Sequence, residues 1–189
     1  MNRTRRKQSK YGPKSAKGLW AYVKRLNEDR AKKISAAIVK FASQHSVDAI
    51  VMEHLDFKGC KKRGSKAQRL SMWNHGIIRE KVEQKAHLLG IRIATICAWK
   101  TSALAFDGSG SVTRDDNNHA LATFTTGKQY NCDLSASYNI GARYFIRELL
   151  KSLPATEESR VKAKVPDAGR RTSCTLSTLR ALVKELSAA

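Results

Sequence analysis

The sequence has few cysteines, few aromatic residues and no long apolar run. Its four cysteines lie at least 35 residues apart and form no C-x-x-C pair, so we expect no disulfide framework and a reducing cytoplasm. No stretch approaches 18 apolar residues, and the basic N-terminus has no apolar run behind it, so neither a membrane span nor a secretory signal is predicted. Aromatic residues make up only 7% and do not interleave with the basic clusters, so a stacking platform for single-stranded nucleic acid is not predicted.

Acidic residues are also scarce, and their positions are uneven. The chain carries 36 Lys and Arg against 16 Asp and Glu, for a net charge of +20. Residues 1–40 hold 13 basic side chains, whereas residues 41–57 hold three acids and no Lys or Arg. A strongly basic chain indicates a polyanionic partner, above all nucleic acid. Islands of carboxylate within it suggest more than plain binding, because carboxylates repel phosphate unless a divalent cation lies between them.

Apolar spacing predicts an α/β chain. Residues 1–18 form a basic arm with glycine and proline, and the chain then alternates between helical and strand-like patterns. We predict helices at 19–44, 70–89, 133–150 and 176–186, strands at 47–53 and 91–99, a hairpin near 121–124, and a linker at 151–175. Two clear strands are too few to cover three helices, so either strands are hidden or part of the domain is missing.

Two carboxylates stand at positions that suit a metal site. Glu53 ends an apolar strand, where the ligand crevice of an α/β sheet lies, and Asp133 stands at the start of the third helix. Together they could share Mg²⁺ for phosphodiester hydrolysis. Two alternatives stay open: Asp133 could be the N-cap of its helix, and Glu53 could pair with an arginine.

Four segments carry a family resemblance. They are V-x-A-I-V-M-E-H-L-D-F from Val47, a helix ending K-A-H-x-x-G-I, T-S at Thr101, and N-C-D-L-S-A-S-Y-N-I-G-A-R from Asn131. In this order they resemble the RuvC-like nuclease part of TnpB proteins, the OrfB products of insertion sequences, which are related to type V CRISPR effectors. The branch most similar is that of the TnpB-related transposase accessory proteins, and the match runs from about residue 19 to 150.

The resemblance implies an RNase H-like (RuvC-like) fold and RNA-guided cleavage of DNA with Mg²⁺ or Mn²⁺ in a bacterial cytoplasm. Three acids hold the metals in the family, of which the second matches Glu53 and the third matches Asp133. The first acid lies on the opening strand, upstream of a long helix. In this chain a basic arm without any acid precedes that helix. We therefore expect a fold truncated at its N-terminus, without its first strands and first carboxylate.

A second departure concerns the zinc ribbon that the family carries before its last acid. Alignment on Thr101 puts Ala105 and Gly108 in the places of the first cysteine pair. Counting back from Asp133 puts Thr123 and Thr126 in the places of the second pair. None of these side chains is a zinc ligand, so we expect a ribbon-like loop at about 101–131 and no zinc. A smaller departure is Ser135, where the family usually has Asn.

We therefore expect a basic arm (1–18), a partial RuvC-like nuclease domain (19–150), and a linker with a short helix (151–189). This chain should bind DNA, with guide RNA as a partner that the resemblance implies, and should cut poorly or not at all alone. The residues expected to contact nucleic acid are basic and lie in the arm and in one loop: Arg3, Arg5, Arg6, Lys7, Lys61, Lys62 and Arg63.

Three other interpretations remain open. The chain could be a working nuclease that receives the missing strand from another chain or an upstream coding segment. It could instead be a non-catalytic nucleic-acid-binding accessory or regulatory protein of an insertion sequence, whose binding would not depend on Glu53. It could also be a gene remnant that does not fold, because missing strands would leave an exposed sheet edge.

Overall fold

Helices and short strands alternate along the part of the chain that the computed structural model describes, which is residues 6, 9–12, 17–55, 74–170 and 172–188. The prediction of a mixed α/β chain is confirmed. The helices are α1 (Lys17–Gln44), α2 (His75–Leu88), α3 (Cys132–Ser152), α4 (Ala155–Lys164) and α5 (Leu176–Ser187), with a 3₁₀ helix at Pro166–Gly169. The strands are β1 (Ala49–His54), β2 (Arg92–Cys97), β3 (Thr113–Arg114), β4 (Leu121–Thr123) and β5 (Gln129–Asn131).

Two small sheets and two compact units make up the fold. β1 pairs with β2, and β3, β4 and β5 form a three-stranded sheet in that order. The first unit contains the described residues up to Ile50 together with those from 74 to Ile93. The second contains those from Val51 to 55 together with those from Ala94 onward. Among the described helices, none combines the length and the apolar character that crossing a bilayer requires.

The first unit is built on the packing of α1 against α2. The buried positions of α1 are Ala31, Ser35, Val39 and Ala42, which recur every three or four residues as one face of a helix does. Small residues on this face let the two helix backbones approach closely. α2 ends where predicted, because Gly90 takes a positive φ of 69°, a conformation that costs glycine little.

Three helices enclose the main apolar cluster of the second unit. It contains Ile146 and Leu150 of α3, Val161 of α4 and Leu182 of α5. The segment 151–175, expected to be a linker, therefore contributes a helix and part of a core. Pro154 precedes α4 as its N-cap residue, with acids in the first turn and lysines in the last. This order suits the helix dipole.

The hairpin expected near 121–124 is a three-stranded antiparallel sheet. β4 pairs with β3 through Thr123 and Thr113, and with β5 through Ala122 and Tyr130. Ala122 is buried together with Ala105, Phe124 and Cys132 in a second, smaller apolar cluster. The sheet leads directly into α3, so its packing positions the start of that helix.

Leu182→Ala should destabilise the chain by about 2–5 kcal/mol, because Leu182 is fully buried and its removal leaves a cavity. Val183→Ala at the neighbouring position, 45% exposed, is the matched control and should cost less than about 1 kcal/mol. Urea denaturation of both variants checks this. Equal costs at the two positions would mean that α5 does not pack as described.

Candidate functional site

Glu53 is held by a hydroxyl group rather than by a basic side chain. It lies near the end of β1, half-buried, while His54 beside it is exposed. The Thr101 hydroxyl, in the turn after β2, donates a hydrogen bond to Glu53 Oε1. Among the residues that the structure describes, no lysine or arginine forms an ion pair with Glu53 or Asp133. The pairing of Glu53 with an arginine is therefore not found there.

The backbone of Thr101 is fixed from α3. Asn139, which is fully buried, donates from Nδ2 to the carbonyl oxygens of Thr101 at 3.0 Å and Leu104 at 2.9 Å. Its Oδ1 accepts the backbone N–H of Leu176 at 3.3 Å. One buried amide thus satisfies three backbone groups that burial would otherwise leave unpaired. Thr101 in turn links this amide to Glu53.

Arg143, one helical turn after Asn139, holds four further carbonyl oxygens. The residue is 5% exposed, and its guanidinium donates to the carbonyl oxygens of Cys97 and Trp99, both at 2.8 Å. It also donates to Thr172 at 2.7 Å and Cys174 at 3.2 Å. The planar fork of an arginine suits several acceptors at fixed angles, which an ammonium group does not. Arg143 therefore joins the end of β2 to the segment that leads into α5.

The next turn of α3 continues the pattern. Arg147 donates from Nη1 to the carbonyl oxygen of Thr95 at 2.9 Å. Asn139, Arg143 and Arg147 are four residues apart and share one face of the helix. Their acceptors include every second carbonyl from the middle of β2 into the turn after it, at positions 95, 97, 99 and 101. Alternate carbonyls of a strand point to the same side, so α3 covers that edge of β2.

The pKa of Arg143 reflects both burial and neighbouring groups. Burial lowers the pKa of the guanidinium, whereas Cys174, Cys97 and the Glu53 carboxylate raise it. An arginine nevertheless keeps its proton in proteins. The negative charge of Glu53 thus favours the charged form of Arg143.

Asp133 lies in the first turn of α3, but it is not the N-cap. Asn131 takes that position, and its side-chain oxygen accepts the backbone N–H groups of Asp133 at 2.9 Å and Leu134 at 3.0 Å. The N-cap interpretation of Asp133 is therefore wrong. The residue is exposed and is the acidic residue of the first turn of α3. Asn139 lies six residues further, or about 9 Å along the helix axis.

The ligand set for the metals that the resemblance implies is incomplete in the described part of the chain. No three or more His, Cys, Asp or Glu side chains within that part are grouped so that they could hold a metal ion. The resemblance implies three metal-binding carboxylates and matches only two of them to this chain, Glu53 and Asp133. Two carboxylates do not fit a two-metal centre, so no metal-dependent step follows from these residues alone.

The described residues include only one of the basic side chains expected to contact nucleic acid. Arg6 is described and exposed. The others, Arg3, Arg5, Lys7, Lys61, Lys62 and Arg63, lie outside the described residues.

The segment expected to be a ribbon-like loop contains two glycine turns and an apolar interior. Gly108 N donates to Ala105 O at 3.2 Å, and Gly127 N donates to Phe124 O at 2.9 Å. Both glycines have a positive φ, near 83° and 82°. Ala105, in the place of a family cysteine, is fully buried in the smaller apolar cluster. Apolar packing therefore stabilises this loop.

Sequence reasoning selected Glu53 and Asp133 but gave no role to Thr101, Asn139 or Arg143. All three belong to the segments that carry the resemblance. The available signal was an Asn and an Arg four residues apart, on the face of the helix that carries its apolar residues. Polar groups on such a face need hydrogen-bond partners when they are buried. The structure brings Glu53, Thr101 and Asn139 into one hydrogen-bonded chain.

Comparison with solved structures gives a match for the fold. A chain in a cryo-EM structure of a Cas12f1–sgRNA–target DNA complex is similar, with a TM-score of 0.51 and 19% sequence identity. The aligned part covers 72% of this chain and 38% of that chain. At this identity the likeness establishes a shared fold. No family model and no curated protein matches the chain.

The resemblance seen in the sequence is thus supported at the level of fold, since Cas12f1 is a type V effector. Membership in the TnpB family, the RNase H-like detail and the truncation stay predictions.

Asn139→Asp should destabilise the chain by about 2–4 kcal/mol, because a carboxylate cannot donate to the Thr101 and Leu104 carbonyls that the amide now satisfies. The matched control is Asn118→Asp in an exposed loop. There the side-chain oxygen accepts the N–H of Ala120 at 3.2 Å, which a carboxylate also does. Denaturant unfolding of both variants measures the difference. Near-equal stabilities would contradict the hydrogen bonds assigned to Asn139.

Proposed function

We propose that this chain binds nucleic acid with a unit derived from a nuclease, the C-terminal RuvC-like portion of a TnpB-related insertion-sequence protein. In this proposal, Glu53 and Asp133 are two of the carboxylates of the parent centre, and the chain alone does not cut DNA. DNA is the expected partner, with guide RNA as a second.

One observation carries the proposal, namely the convergence of three separate motif segments. Glu53, Thr101 and Asn139 come from three of the four segments that resemble the family, and hydrogen bonds join them in one chain. In this proposal, the link between three distant motif segments reflects the site of the parent nuclease. The fold shared with Cas12f1, a chain solved with sgRNA and target DNA, agrees with this origin.

The charge of the chain supports binding to a polyanion. A net charge of +20 provides a sequence-independent attraction to phosphates, which weakens as salt competes for them. Carboxylates at a phosphate-binding surface oppose this attraction unless a cation lies between them. With only two of the three expected carboxylates, cation binding should be weak.

We expect the wild-type chain to bind single- and double-stranded DNA with affinity that falls more than about tenfold between about 50 and 200 mM salt. It should not cleave either substrate in Mg²⁺ or Mn²⁺. Glu53→Gln and Asp133→Asn should bind as well as wild type or slightly better, because each removes a negative charge. Fluorescence anisotropy and a gel-based cleavage assay measure the two properties.

Two results would overturn parts of this proposal. Cleavage by wild type that is lost in both variants would show a complete centre, with another acid in place of the missing one. Binding that is absent, or that does not respond to salt, would contradict the nucleic-acid partner itself.

A second candidate is a non-catalytic accessory protein whose binding surface has no link to the carboxylates. The observation that favours it is the Thr101 hydroxyl on Glu53, which occupies one carboxylate oxygen with a structural contact. Thr101→Val separates the two. If Glu53 has only a structural role, Thr101→Val should lower stability without changing the Mg²⁺ dependence of DNA binding. If Glu53 keeps a role in cation binding, release of its oxygen in Thr101→Val should strengthen that dependence.

A further inference from the structure

An aromatic surface forms where the ribbon-like loop meets the start of α3. The ring of Phe106 contacts the rings of Phe124, Tyr130 and Tyr138, with centroids 5.5, 5.1 and 5.1 Å away. Phe106 lies in a turn and Phe124 directly follows β4, whereas Tyr130 belongs to β5 and Tyr138 to α3. The rings are scattered along the chain, and the fold assembles them from separate elements.

A cation lies on this surface. Lys128 Nζ is 4.7 Å from the ring centroid of Phe106, 5.1 Å from that of Tyr130 and 5.9 Å from that of Phe124. Lys128 is exposed, so its ammonium group faces solvent as well as the rings. A lysine beside exposed rings can attract the phosphate of a nucleic acid, and the Tyr138 ring is not among those that Lys128 covers.

Part of the aromatic surface is open to solvent. Tyr138 is 42% exposed, while Phe106 and Tyr130 are half-buried and Phe124 is buried. The hydroxyl groups of Tyr130 and Tyr138 are 3.5 Å apart, and their ring centroids are 6.4 Å apart. Phe124 therefore forms the buried side of the cluster, and the Tyr138 ring is its most solvent-exposed member.

We propose that Phe106, Tyr130, Tyr138 and Lys128 form a stacking site for an unpaired base of single-stranded nucleic acid. The base stacks on Tyr138 at the edge of the ring cluster, and Lys128 pairs with an adjacent phosphate. Stacking of bases on aromatic side chains tolerates any sequence, because every base has a π-face. This inference rests on the proposed function. It specifies that the nucleic acid bound at this surface is single-stranded.

The site lies on the same helix as Asp133 but on a different face. Asp133 and Tyr138 both belong to the first two turns of α3, five residues apart. Five residues turn the helix by about 140° beyond one full turn, so the stacking site and Asp133 are separate features of this helix. The site belongs to the second unit alone and needs no residue from the first.

The test uses the full chain and two oligonucleotides of the same sequence, one DNA and one RNA, each with a central 2-aminopurine. Stacking on a tyrosine ring quenches the fluorescence of this base. Tyr138→Ala should weaken single-strand affinity about tenfold and abolish the quenching, whereas Tyr138→Phe should keep both. Lys128→Met should weaken binding and lower the salt slope by about one unit.

Phe145→Ala is the matched control, because Phe145 is 55% exposed on the same helix but is not part of the ring cluster. It should change neither affinity nor quenching. Duplex DNA of the same sequence should bind Tyr138→Ala and wild type equally. The DNA and RNA arms decide which single strand the site prefers.

The outcomes separate the two proposals. If single strands bind with the expected salt dependence but Tyr138→Ala and Lys128→Met change neither affinity nor quenching, the stacking site is refuted and the nucleic-acid partner stands. If neither single strands nor duplex bind to any variant, the proposed function fails, and the stacking site fails with it.

Discussion

The second unit depends on the hydrogen bonds that the Arg143 guanidinium donates to backbone carbonyl oxygens. Two of its acceptors lie at the end of β2 and in the turn after it, and two precede α5, so one side chain connects segments that are far apart in the sequence. Burying a guanidinium is costly unless its donors are satisfied, and four carbonyls receive them. The same helix face presents Asn139 to Thr101, which reaches Glu53. The geometry of the candidate site therefore follows from how α3 lies along β2.

Periodicity was sufficient to predict most of the elements. The apolar spacing of α1, α3 and α5 and the short apolar runs of β1 and β2 indicated their places along the chain. α4 was missed because Val161 is its only buried residue, so ten residues carry almost no apolar pattern. Its Pro154, early acids and late lysines were a readable signal. Contacts between side chains of different elements, such as Thr101 with Glu53, leave no periodic trace and could not be predicted.

The candidate site was predictable in part. Glu53 and Asp133 could be selected from their places at a strand end and a helix start, and the resemblance named the same two residues. The roles of Asn139 and Arg143 could not be assigned, because their partners are backbone carbonyls whose positions depend on the fold. The aromatic surface around Phe106 was not predicted, since a low aromatic content says nothing about where the few rings meet. Four rings, joined by five ring contacts, and one lysine are enough to form this surface.

Hydrogen exchange in Arg143→Lys tests most directly whether one guanidinium unites these segments. A lysine keeps the charge but cannot reach four carbonyls in fixed directions. The amides of residues 97–101 and 172–176 should lose protection together, while those of α1 in the first unit exchange as in wild type. If both segments keep their wild-type protection, or if only one changes, Arg143 does not connect them, and the dependence of the candidate site on this side chain is contradicted.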